Sequence, residues 1–269
     1  MPTGRERVRE IRVPVPVLVA VLVTAAAAVW ASWTEAEYYS ARSVPGSWQY
    51  PIQAALGLPY AVAGGLVLRR RPRDAVGWTL LAVGLTMQLA RAETAQALGR
   101  GAAGGDSWAD RPLGLPLTAL AVATVLCAIG LIPVLTAGAA RPGRVRLGRG
   151  AMLVLVTGAL LLTASVVDTA IRGAGALELA GTPAARPAWM VWVPLVLYLA
   201  GAVTCWAVLV AAMRGSARRP VALVLLAGAM VLVTSALSGG LIRMLGLTLA
   251  PFLVMLARTR TPPRASSPT

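Results

Sequence analysis

The chain has 269 residues, of which 57% are hydrophobic and 13% charged, with a mean hydropathy of +0.72. A soluble domain carries about 25% charged residues, so this much apolar surface needs lipid to cover it and a water-soluble globular protein is excluded. The net charge is +15, and every basic residue is Arg, with no Lys and no His anywhere in the chain. The Arg residues sit in small groups between apolar runs, a distribution that fits membrane topology rather than nucleic-acid binding. The Arg-only basic set, with abundant Ala, Val, Leu and Gly, points to a high-GC bacterial coding bias and so to a bacterial inner membrane.

Charge-free intervals mark the spans, each needing about 20 residues of helix. The first lies near 13–33, behind a segment holding Arg5, Arg7, Arg9 and Arg12. It is longer than a signal-peptide core of roughly 7–15 residues, which favours an uncleaved helix. Cleavage near Ala31 would leave one span fewer. The second span lies near 51–68, with Pro51 in its first turn, where no amide partner is lost. The third covers 75–95 and carries Arg91 and Glu93 at its outer end. Further spans fall near 113–136, 150–170, 188–212 and 220–237, followed by a Ser238-Gly239-Gly240 turn. The last, 240–257, includes Arg243 about one turn in, and 258–269 reads as a disordered cytoplasmic tail rich in Pro, Ser and Arg.

This pattern predicts one all-α domain over 1–257, a polytopic transmembrane helix bundle of eight spans (seven if the first is removed). With the amino terminus inside, eighteen Arg fall on inner segments and seven on outer ones. Seven of the ten acidic residues fall outside. The positive-inside rule then puts both termini in the cytoplasm, with Arg69, Arg70, Arg71 and Arg73 as the sharpest determinants. Trp30, Trp33, Trp48, Trp108, Trp189 and Trp192 all fall near outer ends. They form either an interfacial belt or an aromatic outer pocket for an apolar or cationic ligand.

The residue inventory limits the chemistry. Without His there is no Ser-His-Asp triad and no His metal ligand. Without Lys there is no Schiff base and no phosphate-binding lysine of the P-loop kind. Cys127 and Cys205 lie in separate apolar runs and read as packing residues. No catalytic residue, cofactor or metal site is expected. The remaining polar candidates are Arg91, Glu93, Asp168, Arg172 and Arg243, which lie at similar inferred depth and form a candidate outer-leaflet cluster. Asp168 and Arg172 stand at i, i+4, acid first, the favourable order for a helical pair. The bland alternative is that these groups snorkel to the headgroups or pair structurally. Small residues, Ala61 with Gly65 and Gly77 with Gly84, offer close helix packing.

The run Leu68-Arg69-Arg70-Arg71-Pro72-Arg73-Asp74-Ala75-Val76-Gly77-Trp78, leading into Thr79-Leu80-Leu81-Ala82-Val83-Gly84-Leu85, resembles a feature of actinobacterial sensor histidine kinases. Their amino-terminal membrane regions carry an Arg-Arg-Pro-Arg-Asn-Pro-Ile-Gly-Trp-type turn before a Leu-rich span, and an acidic residue near that span's outer end, where Glu93 falls. Asp74-Ala75 replaces the usual Asn-Pro, and the family's Phe-Pro-Asp-Gly-Arg-like inner loop is degenerate around Ile132-Pro133. The resemblance covers about twenty residues and implies a membrane sensing or regulatory module without its own transmitter, not kinase activity. The expected function is therefore non-enzymatic signal sensing or partner regulation. A small transporter or permease, or a structural subunit of a membrane complex, stands as the alternative. The expected partners are anionic headgroups on the cytoplasmic side and a membrane protein or second copy, with no nucleic acid.

Overall fold

A computed structural model describes residues 14–43, 49–99, 113–140, 145–171, 189–212, 218–236 and 240–259. All regular structure among them is helical: α1 Val15–Ala41, α2 Gln49–Ala54, α3 Gly57–Arg70, α4 Ala75–Gly99, α5 Gly114–Ala140, α6 Val145–Ile171, α7 Trp189–Ala212, α8 Arg218–Ala236 and α9 Gly240–Thr259. Among the described residues six stretches are long and apolar enough to cross a membrane, from Val15–Ala41 through Trp192–Ala212, with Gln49–Arg70 spanning α2 and α3 together. Large side chains such as Leu22, Leu153, Val203 and Leu232 stay more than half exposed on the helix surfaces. In water such a surface is unfavourable by about 25 cal/mol per Å²; against acyl chains it is matched. The protein is an all-α helical bundle of the multi-pass membrane type.

Helix boundaries depart from the expected spans most sharply in two places, while α4 and α5 overrun by four residues and α6 starts at Val145, with Arg146 and Arg149 inside it. α1 continues to Ala41 instead of stopping near residue 33, because Thr34-Glu35-Ala36-Glu37 contains no helix breaker. It ends where Ser43 adopts a left-handed φ of 50° and its N–H bonds to Ser40 O at 3.1 Å. The second span starts at Gln49, not Pro51, and is broken after Ala54. Pro59 supplies no N–H to Ala55, whose carbonyl takes the Leu58 N–H at 3.0 Å instead. That shift deprives the Ala54 carbonyl of its helical partner.

α4 is the organising helix and packs against α1, α3 and α5; α9 lies against α3 and α8, while α6 packs on α5 and α7. α3 and α4 touch backbone to backbone. A Cβ on Gly64 would lie 2.6 Å from Leu81 N, and one on Gly84 would lie 2.4 Å from Ala61 N. Only glycine permits that approach. Gly64 therefore holds the seam, whereas Gly65 turns to α1, where Val21 is its nearest neighbour. Gly77 faces Leu68 in the same seam. α6 and α7 repeat the device with Gly158 against the Tyr198 backbone and Gly201 against that of Leu155. Cys127 and Cys205 are free thiols in the α5–α6–α7 core.

Residues from α3, α4, α5, α7, α8 and α9, including Ala63, Val76, Leu80, Leu209, Val224 and Val254, share one apolar cluster. Thr86 and Thr124 add a hydroxyl contact of 2.7 Å between α4 and α5.

Candidate functional site

The start of α4 is built by the basic turn. Arg71 closes α3 with its N–H on Val67 O at 2.9 Å, and Asp74 N–H returns to Arg71 O at 3.0 Å. Asp74 then caps α4, its Oδ1 accepting the Val76 N–H at 2.9 Å. Its other oxygen, Oδ2, accepts from Arg258 Nη2 at 2.7 Å and Nε at 3.1 Å. The end of α9 is thereby latched to the start of α4. Trp78 Nε1 donates to Pro72 O at 3.0 Å and holds the turn over the first helical residues. Arg69, Arg70 and Arg73 project from this turn and are exposed, and Arg71 is half-buried.

The far end of α4 holds a second ion pair. Arg91 Nη2 donates to Glu35 Oε2 of α1 at 2.9 Å, and Arg91 Nε lies 2.8 Å from Glu35 Oε1. The second contact is short, yet neither atom has an aligned hydrogen bond, so it is a charge contact only. Glu35 is 0% exposed, and the Arg91 side chain keeps 35% of its surface. Ala31, Ala54 and Ala95 close the space beside the pair, and their small side chains let α1, α2 and α4 approach closely enough for Arg91 to reach α1.

Three polar features surround this pair. Gln88, wholly buried, donates Nε2 to the Ala54 carbonyl at 2.6 Å and so satisfies the group released by the α2–α3 break. Its Oε1 is buried without a donor. Glu93 rests at the start of α5, where a Cβ on Gly114 would lie 2.7 Å from its Oε2. The positive end of the helix dipole favours a carboxylate there, although Oε2 is buried and accepts no hydrogen bond. One turn beyond Glu35, Tyr39 stacks on Tyr50 with centroids 3.9 Å apart, and Tyr38 meets Tyr39 edge-on at 5.1 Å. The Arg42 guanidinium sits 3.6 Å above the Tyr38 ring. Ser32 Oγ, donating to Pro51 O at 2.8 Å, ties α1 to α2 beneath these rings.

The residues named from the sequence fall as follows. Arg91 and Glu93 share one end of α4 but address different partners, Glu35 on α1 and Gly114 on α5. Asp168 is half-buried near the end of α6. Arg172 lies outside the described residues, and Arg243 stands in the first turn of α9 with its side chain outside them. Trp30 and Trp33 are exposed on α1 and Trp192 on α7. Trp48 and Trp108 lie outside the described residues, as does the side chain of Trp189.

Glu35 is not among the polar candidates read from sequence, where the first span ends near residue 33. The only available signal was that Glu35 and Arg91 both fall near outer ends.

Among the described residues the arrangement pairs one buried carboxylate with a guanidinium and leaves buried oxygens of Gln88 and Glu93 without donors. Among the described residues no three His, Cys, Asp or Glu side chains gather as a metal site. No family model matches the chain, and neither the curated proteins nor the solved structures give a match.

Proposed function

We propose that this protein is a non-enzymatic membrane module that receives a signal at the Glu35–Arg91 end and passes it to a partner at the basic end. Eight crossings, with both termini and the basic turn on the cytoplasmic side of a bacterial inner membrane, complete the reading. One observation carries it: a single helix, α4, bears Arg91 of the outer pair and is capped by Asp74 of the inner latch. Over that interval a helix rises about 25 Å, close to the hydrocarbon thickness of a bilayer. A displacement at Arg91 therefore reaches Asp74 and Arg258 through one rigid element, with the glycine seam to α3 guiding it. The resemblance of the Arg69–Trp78 turn to sensor-kinase membrane regions points the same way. A membrane-protein partner or a second copy would receive the signal at the inner end.

Copurification from native membranes tests this reading. The wild-type chain is expected to capture a partner set that changes or disappears with Arg91→Leu while the variant stays inserted; an unchanged set contradicts it. A cysteine at Arg73, in a chain with Cys127 and Cys205 replaced by Ala, tests the orientation. It should resist an impermeant thiol reagent added from outside, and ready labelling would invert the topology.

The unsatisfied Glu93 Oε2 and Gln88 Oε1 favour a second reading, a small transporter whose solute supplies the missing donors.

A further inference from the structure

Between α3 and α9, at the basic end, lies a groove of about 300 Å³ lined by Leu66, Arg69, Arg70, Met255, Leu256 and Thr259. We infer that it is a site for one anionic phospholipid. The inference rests on the membrane reading and is independent of signalling.

The lining has two chemistries. Leu66, Met255 and Leu256 form an apolar wall, and Leu66 keeps 40% of its surface exposed. Arg69 and Arg70, in the last turn of α3, supply two exposed guanidinium groups. Neither has an acidic partner among the described residues, whereas their neighbour Arg258 is committed to Asp74. The one carboxylate of this turn is thus already neutralised, and the groove keeps a net positive charge. Thr259 Oγ1 reaches Leu256 O only at 3.5 Å, the outer limit of a hydrogen bond, and is free to turn toward a phosphate oxygen.

A phosphodiester headgroup fits this set. Its non-bridging oxygens take guanidinium N–H donors from Arg69 and Arg70, and its acyl chains continue along Leu66 and Met255 toward the hydrocarbon. A basic pocket between helices near the headgroup level is the place where such recognition occurs. A zwitterionic lipid brings its own cation and gains less. The groove is also small for a protein segment and lies at the lower limit of ligand-pocket volumes.

The test is native mass spectrometry of the full chain in neutral detergent, titrated with phosphatidylglycerol and, separately, phosphatidylcholine. One phosphatidylglycerol per chain should bind saturably and be retained longest. In Arg69→Gln/Arg70→Gln its apparent affinity should fall roughly thirtyfold, about fivefold for each arginine. Arg218→Gln/Arg219→Gln removes the same charge from exposed residues at the start of α8 and should leave binding unchanged. Leu66→Trp fills the groove, keeps both cations and should abolish stoichiometric binding. Equal weakening by the two double variants, non-saturable uptake, or full binding by Leu66→Trp would overturn the site. Inorganic phosphate displacing the lipid at equal concentration would reassign the groove to a soluble anion and overturn it as well.

Discussion

The two ends of α4 carry the same chemistry, a carboxylate against an arginine, and differ in how completely it is satisfied. At the inner end Asp74 uses both oxygens, one on the Val76 N–H and one on two N–H groups of Arg258. At the outer end Glu35 is more deeply buried, yet makes one directed hydrogen bond and one misaligned contact. Gln88 and Glu93 nearby each leave a buried oxygen unpaired. A saturated pair locks a helix start, whereas an under-satisfied one in a low dielectric is held away from its best arrangement. On the proposed reading, the Asp74–Arg258 pair is the latch and the Glu35–Arg91 pair the part that moves.

The largest expected effect breaks the outer pair. Arg91→Leu strands the Glu35 carboxylate in the interior and should lower unfolding stability in detergent by about 3 kcal/mol. Glu35→Leu/Arg91→Leu should recover much of that loss, because two apolar groups leave no buried charge behind. Next comes the seam that keeps the two ends on one rod. Gly84→Leu drives a side chain into the Ala61 backbone and should cost about 2 kcal/mol, read as a lower midpoint of thermal unfolding. Gly65→Ala, which meets the Val21 and Val17 side chains at 3.1 and 3.8 Å and no backbone of another helix, should cost less. At the inner end Asp74→Ala removes both cap and latch, whereas Asp74→Asn keeps the cap. The difference between those two variants isolates the cap, expected at about 1 kcal/mol, and the loss in Asp74→Asn relative to the parent reads the Arg258 pair, expected at about 1 kcal/mol. The smallest effect is stabilising. Ser43→Gly relieves the left-handed backbone that ends α1 by roughly half a kcal/mol, visible as a slightly raised melting midpoint.

The pattern of charge-free intervals made the helical plan legible, since membrane thickness sets span length directly. Ala61, Gly77 and Gly84 were also readable as seam residues, because close approach demands small side chains at helical spacing. The sequence paired Ala61 with Gly65, yet Gly64 is the glycine in the seam, since adjacent positions face different helices and only the packing decides which. The extension of α1 through Glu35 was hidden because a charge read as the end of a span. A buried partner on another helix removes that limit, and Arg91 supplies it from fifty-six positions away. The role of Gln88 depended likewise on a helix break that Pro59 causes in a different span. Local sequence carries backbone propensity; it does not carry the order of helices around a bundle.

The central claim is that α4 couples its two ends. Distance measurement by dipolar broadening in electron spin resonance, with nitroxide labels on Arg73→Cys and Thr259→Cys in a chain whose Cys127 and Cys205 are replaced by Ala, tests it most directly. The account predicts that Arg91→Leu shifts or broadens the distance distribution at the inner latch, while Trp33→Leu, an exposed change on α1, leaves it as in the parent. An inner-end distribution identical in the parent and in Arg91→Leu would contradict the coupling.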